Sequence, residues 1–460
     1  MARAKNNPLI TDFNHIPAEA LVPEEEWPYP IPKHWTWVRL ESVVEMRIGK
    51  TPARAEEKYW KSYDYPWVKI SDFTDKGVIT GTEERISSVA LSEVFKGRLV
   101  PSGTLLMSFK LTIGKCAILD IAAVHNEAII SIFPQSNIVN RDYLFYCLPT
   151  ITQFGIQRSA VKGSTLNSKS LNALPLPLPP VVEQKEIVAY LDEKLGKIDS
   201  VREKLQDFLD HADQRKDNLI QAGVTGHLTE KWREKNQDCS RTMFTNEELQ
   251  QVSVPETWKW LPLGDVATIL NGDRGKNYAG RSTWIDSGIP FVNAGTLQNS
   301  VLTEEGMNYI SKETYSKLNG GKLRPGDILF CLRGSLGKCA LNTSYQEGAI
   351  GSSIAIIRSG DSANPRFSFY YFLSPISQIM IDEFDNGSAQ PNLSAKSLKR
   401  FKVPLPPVGE QEEIARILDE QLERIERTDK LVAEVLERLD TMKQQIVSAA
   451  LAGRLSLQVS

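Results

Sequence analysis

The sequence predicts an α+β protein with a pseudo-twofold internal repeat: two similar mixed α/β domains separated by two long antiparallel coiled-coil helices. Three observations lead there. The stretch PLPPVVEQKEIVAYLDEKL (177–195) returns as PLPPVGEQEEIARILDEQL (404–422), 227 residues later. The stretch IPKHWTWVRLESV (31–43) returns as VPETWKWLPLGDV (254–266), 223 residues later. Each proline-rich segment is also followed by a long run of apolar residues at helical spacing.

Taken in order, residues 1–30 precede the repeat and receive no role from it. The first mixed domain covers 31–180. Short apolar runs such as TLLMSF, CAIL and AIISIF lie between Gly, Pro and Ser, which marks strands. A helix is expected over 142–157. HWTW and TWKW each put two tryptophans on one face of a strand, facing the core. A central spacer helix fills 181–228, a linker 229–253 and the second mixed domain 254–407, with a helix expected over 368–382. A second spacer helix fills 408–455.

The proline segments hold the chain extended, and the helices begin beyond them. Glu183 and Glu410 fall in the first turns, where the helix dipole favours a carboxylate. Gly226 and Gly453 mark the far ends. In the second helix Leu418, Ile425, Val432, Leu439 and Ile446 repeat every seven residues, with Ile414, Val435, Met442 and Ala449 as the alternating set. The first helix keeps this register through Leu191, Ile198 and Leu205, with Lys194 and Arg215 interrupting the seam. Unbroken from Glu183 to Ala222, it would span roughly 60 Å.

The formal net charge of −3 gives no global sign of a polyanionic partner. Its distribution is uneven. Residues 1–180 carry 20 Lys+Arg against 18 Asp+Glu and residues 254–408 carry 16 against 13, so both mixed domains are slightly basic. Both helical segments are acidic. Five scattered cysteines and five histidines without ligand spacing support neither disulfides nor a metal site, which fits a cytoplasmic protein. No apolar run reaches about 18 residues, so no membrane span is expected. No Walker A loop, dinucleotide fingerprint, zinc-protease motif or serine elbow is present. Two similar heads on a helical spacer suit a ligand with two sites at fixed separation. Double-stranded DNA is such a ligand, with a helical turn of about 34–36 Å.

The doubled PLPPVxEQxEI…LDE helix, the divergent domains between its copies and LTEKWREKN after the first copy resemble the specificity subunit of a type I restriction–modification system. The resemblance runs from about Ile31 to Leu455. It implies a non-catalytic subunit with two target-recognition domains, each reading one half of a bipartite DNA sequence. It implies a coiled coil that sets the gap and docks two methyltransferase subunits, with restriction subunits joining in the full complex. No cofactor is then bound by this chain. S-adenosylmethionine, and ATP with Mg, belong to the partners. The competing readings are a self-contained enzyme and a two-headed protein-interaction scaffold.

Candidate DNA contacts fall in matching loops. RIGKTPARAEEKYW offers Arg47, Lys50, Thr51, Arg54 and Lys58; LNGDRGKNYAGRSTW offers Arg274, Lys276, Asn277 and Arg281. Glycine here would let backbone approach a phosphate or groove floor, and basic side chains suit phosphates and guanine edges. The bland alternative is solvated surface. GSTLNSKS offers Ser164, Asn167 and Lys169; GSAQPNLSAKS offers Gln390, Asn392 and Lys396. Asn and Gln can pair with adenine, and the same residues also make Asx turns. Lys69 and Asn293 are expected to leave a strand toward a groove. Lys110 and Arg333 are contact candidates. Their neighbours Lys115 and Lys338, identical in both halves, read as architecture or phosphate anchors.

Overall fold

The computed structural model describes residues 10–74, 77–110, 112–161, 168–236, 243–246, 252–274, 278–385 and 392–455. The chain divides into two compact units, residues 1–204 with 435–460, and residues 205–434. Each holds one mixed domain and a portion of both spacer helices.

In the first unit the apolar runs become strands. Leu105–Ser108, Cys116–Leu119 and Ile129–Pro134 join Val44–Ile48 and Val78–Ile79 in one five-stranded sheet. A three-stranded sheet holds Glu84–Ile86, Tyr65–Val68 and Val124–His125, the last two parallel. Helix Arg141–Val161 packs Tyr143, Leu144, Cys147, Leu148 and Ile151 into the core. The segment before the repeat also has a place. Ile10 and Ala20 are core residues, and Leu21 bridges Val38. The Tyr29 ring lies edge-on to Trp37, and its hydroxyl donates to the Leu451 carbonyl at 3.2 Å.

The second unit follows the same plan. Ala267–Asn271, Ile354–Ser359, Ile328–Cys331 and Cys339–Leu341 form one sheet; Trp284–Ile285, Asn308–Ile310, Ile289–Val292 and Ala349–Ile350 form another. The helix expected over 368–382 is two helices, Pro365–Leu373 and Pro375–Phe384. Ser374 between them is extended, because proline disfavours α backbone in the residue before it and has no N–H of its own.

The proline segments are edge strands. Pro175–Leu178 pairs with Thr36–Arg39, and Lys402–Leu405 with Lys259–Pro262, as two-stranded sheets where a missing N–H is tolerated. The helices start directly after them, at Val181 and Val408. The repeated Glu-Gln pair then fastens helix to domain. The Trp35 indole donates to Glu183 at 3.0 Å, and the Trp258 indole to Glu410 at 2.9 Å. Gln184 accepts from Asn140 N at 2.7 Å and donates to the Ile138 and Pro179 carbonyls. Gln411 repeats this with Asn364 N, at 2.7 Å, and the Ser362 and Pro406 carbonyls. Asn140 and Asn364 in turn accept from the first N–H groups of helices Arg141–Val161 and Pro365–Leu373. One glutamine therefore ties two helix starts together in each unit.

The spacer helices differ from expectation in two respects. The central one runs Val181–Asp210, breaks at His211 and resumes as Ala212–Val224; the C-terminal one, Val408–Leu451, is unbroken over 44 residues. At the break, His211 Nδ1 lies 2.7 Å from the Asp207 carbonyl, and Arg215 donates to the Phe208 carbonyl. Within the first unit Lys443 meets Asp199 at 2.6 Å and Arg202 meets Asp440 at 3.2 Å, an antiparallel order. Within the second, Arg215 meets Asp429 at 2.7 Å while Gly223 lies against Leu418, also antiparallel.

Leu191, Ile198 and Leu418 are buried, and Leu205, Ile425, Val432, Leu439 and Ile446 are half-buried. The alternating row is not the expected one. Val435 and Met442 are 40% and 46% exposed. The row facing inward is Ala415, Leu422, Asp429, Leu436, Lys443 and Ala450. Two of its members are charged, so apolar spacing passed over them; their charges are met by Arg215 and Asp199. Arg215, expected to interrupt the seam, is thus one of its ion-paired members.

Candidate nucleic-acid interface

In the first unit the loop after strand Val44–Ile48 closes on the body of the domain through Gly49. A Cβ there would lie 2.1 Å from the His125 carbonyl oxygen and 2.2 Å from that of Asn126. At the matching Gly272 it would lie 2.6 Å from the Ile350 oxygen and 2.8 Å from that of Gly351. Both glycines are therefore needed for contact with a neighbouring strand end.

Beyond Gly49 the candidate side chains hold internal partners. Arg47 pairs with Glu45 at 2.8 Å and lies over the Phe133 ring. Lys50 donates to the Val94 carbonyl at 2.9 Å, and Thr51 to Glu127. Arg54 pairs with Glu84 while stacking over Trp60 at 4.0 Å and Trp67 at 4.9 Å. Lys58 pairs with Glu93 at 2.8 Å, and Tyr59 donates to the same carboxylate. Lys69 meets Glu83 and Glu84, each at 3.0 Å. The bond from Arg54 holds the Glu84 carboxyl below its usual range, and that from Lys58 does the same for Glu93. The bond to Glu84 raises the Lys69 ammonium.

Lys69 and Asn293 precede short 3₁₀ turns, Ile70–Asp72 and Ala294–Thr296, and are tied back rather than projecting freely. Asn293 accepts from Gly295 N at 2.8 Å. Lys110 is exposed, its ammonium 5.6 Å from the Phe109 ring centroid. Lys115 donates to the Phe73 carbonyl at 2.6 Å, an architectural contact; Lys338 is exposed.

In the second unit two separate sequence candidates come together. Arg333 bridges Asn392 in β fashion, and its Nε donates to Asn392 Oδ1 at 3.0 Å. The next pair continues this contact, Leu393 N donating to the Leu332 carbonyl at 2.9 Å. Arg274, Arg281 and Lys396 are exposed. Ser164, Asn167, Lys276, Asn277 and Gln390 lie outside the described residues, as does the side chain of Lys169.

A family model, type I restriction modification DNA specificity domain, matches residues 32–207 and 255–437. The chain belongs to this family. It is 26% identical over 340 residues to the EcoBI specificity subunit of Escherichia coli, covering 73% of this chain and 70% of that one. It is 25% identical to the putative MjaX specificity subunit of Methanocaldococcus jannaschii, covering 93% and 95%. Among solved structures, the HsdS subunit of Thermoanaerobacter tengcongensis matches with a TM-score of 0.60 at 20% identity, covering 93% and 99%. A chain solved in work on assembly and conformational transition of the type I R-M system matches at 0.67 and 21%, covering 93% and 100%. The doubled family match coincides with the doubled fold. No helix of the described residues is long and apolar enough to cross a membrane.

In this specificity-family chain, sequence reasoning missed the carboxylates Glu84, Glu93 and Glu127, which organise the first loop. Nothing in their spacing marks them, because their partners are 30 to 76 residues away. It also missed His125, whose backbone seats Lys50 through a 2.8 Å bond. His125 is buried, and burial pushes its imidazole down to about 4. The pairing Val68↔His125 matches Val292↔Ile350 in the other domain. Because the folded value lies below the unfolded value of about 6.5, the unfolded chain binds the proton more readily. Stability should be fully present above about pH 6.5 and fall as the pH drops toward 4, by roughly 3 kcal/mol. Thermal melts of wild type and His125→Ile across that range check it; equal pH slopes would remove His125 as the cause.

Proposed function

We propose that this chain directs a type I restriction–modification complex to a bipartite DNA sequence. Each mixed domain reads one half-site, and the paired spacer helices set the gap. The helices also dock two methyltransferase subunits, with restriction subunits joining in the full complex. The chain binds no cofactor itself; S-adenosylmethionine, and ATP with Mg, act on the partners. The observation that carries this reading is the duplicated junction. The same Trp–Glu and Gln–Asn bonds fix a helix to each domain, while the loops beyond the domain sheets differ between copies. A fixed helix under a divergent loop suits a ruler with two different readers.

Adenine-methylation mapping tests it, with the chain expressed beside its methyltransferase subunit and omitted in the control. A split motif methylated only when the chain is present is the expected result. Seven residues inserted after Leu205 and after Leu436 add about 10 Å of helix, or about three base pairs. The gap should grow by that amount with both half-sites kept; an unchanged gap would sink the ruler.

A further inference from the structure

The two domains present their cations differently. In the first, Arg47, Arg54, Lys58 and Lys69 all meet carboxylates. In the second, Arg274, Arg281, Arg333, Lys338 and Lys396 meet none among the described residues, where the domain's ion pairs are Lys317–Glu313, Arg358–Asp327 and Arg366–Asp419. Residues 275–277 and 386–391 of that domain contain no Asp or Glu. Four candidate cations of the first domain are therefore charge-compensated, though its Lys50 and Lys110 form no ion pair among the described residues, while none of the second domain's five is.

This difference bears on discrimination. Sequence-independent binding comes from cations replacing counterions on phosphates. A cation already held by a carboxylate must first give up that partner. Only a site that restores the lost bond elsewhere, through a well-placed base or phosphate, offsets the loss. The Glu84 pairing is also built rather than casual. Glu84 joins Arg54 and Lys69, and Arg54 is seated on two indole rings. Glu93 gathers both the Lys58 ammonium and the Tyr59 hydroxyl, each at 2.8 Å.

We propose that Glu84 and Glu93 are specificity-determining residues of the first domain: they hold Arg54, Lys69 and Lys58 away from non-target phosphates, so the second domain supplies the sequence-independent grip. This rests on the reading that these loops face DNA. Carboxylates that repel phosphate thereby raise the ratio of target to non-target binding, although they weaken both.

The test is a DNA-binding titration of the full-length chain over a series of salt concentrations. The probes are a duplex carrying the mapped motif and one lacking it. For E84Q/E93Q, non-target binding should tighten about tenfold at low salt. The slope of log K against log salt should steepen by roughly 2, near 0.9 for each of Arg54 and Lys58, since Lys69 keeps Glu83. Target binding should gain less, so the ratio narrows. R274A/R281A/K338A should flatten the slope for both duplexes. E93Q alone alters a half-exposed pair without touching the Arg54 stack, and should steepen the slope by about 1. Wild-type slopes and affinities in both Glu→Gln variants would overturn the proposal while leaving DNA recognition intact. A wild-type chain whose binding ignored salt would overturn the underlying reading as well.

Discussion

Arg233→Met is expected to lower the stability of the second unit by about 3–5 kcal/mol, the cost of leaving a buried charge without its partner. Arg233 is 4% exposed and Glu410 fully buried, 2.5 Å apart. Thr229 donates to the same oxygen at 2.7 Å, and the Trp258 indole takes the other. The methionine fills the space of the guanidinium stem but cannot answer the carboxylate. Urea unfolding, with hydrogen exchange of residues 408–422 as the local readout, measures the loss. R233M/E410Q should recover most of it, since a glutamine can accept from the Trp258 indole with its oxygen and donate to the Thr229 hydroxyl with its amide nitrogen. A midpoint for Arg233→Met equal to wild type would refute the account. The first unit supplies the contrast. Glu183 there is met by Trp35 and by His34, which is 61% exposed. Removing His34 should cost no more than about 1 kcal/mol.

Gly49→Ala should destabilise the first unit by an amount at or above the upper end of roughly 1–3 kcal/mol. The added methyl meets backbone oxygens, which cannot rotate away as a side chain does. Those oxygens are fixed, because Asn126 N donates to the Val68 carbonyl at 3.0 Å and Lys50 N to that of His125 at 2.8 Å. Gly81→Ala is the control, since no atom lies within 4 Å of a Cβ there. Thermal unfolding of the two variants should separate them clearly; equal melting temperatures would show that the loop base yields without cost.

The repeat, the proline exit into each helix and the strand-forming runs were legible because they depend on local rules. Proline lacks an N–H wherever it occurs, and a strand between turn residues needs no distant partner to be recognised. Leu418, Ile425, Val432, Leu439 and Ile446 were legible for the same reason, as spacing on one helix. The roles of Glu183 and Glu410 were half legible. Their place in the first turn follows from the dipole, but their tryptophan partners sit about 150 residues away.

The sequence by itself determined that this protein is two copies of one plan, with helices that start after Pro180 and Pro407. It also marked the loops that differ between the copies. Only the tertiary structure decided what the cations in those loops meet. Arg54 finds Glu84, Lys58 finds Glu93, and Arg333 finds Asn392, because the fold brings together segments far apart in the chain. It likewise decided that Asp429 and Lys443 belong to the helix seam. A charge reads as solvent-facing until the residue that neutralises it is seen across the interface.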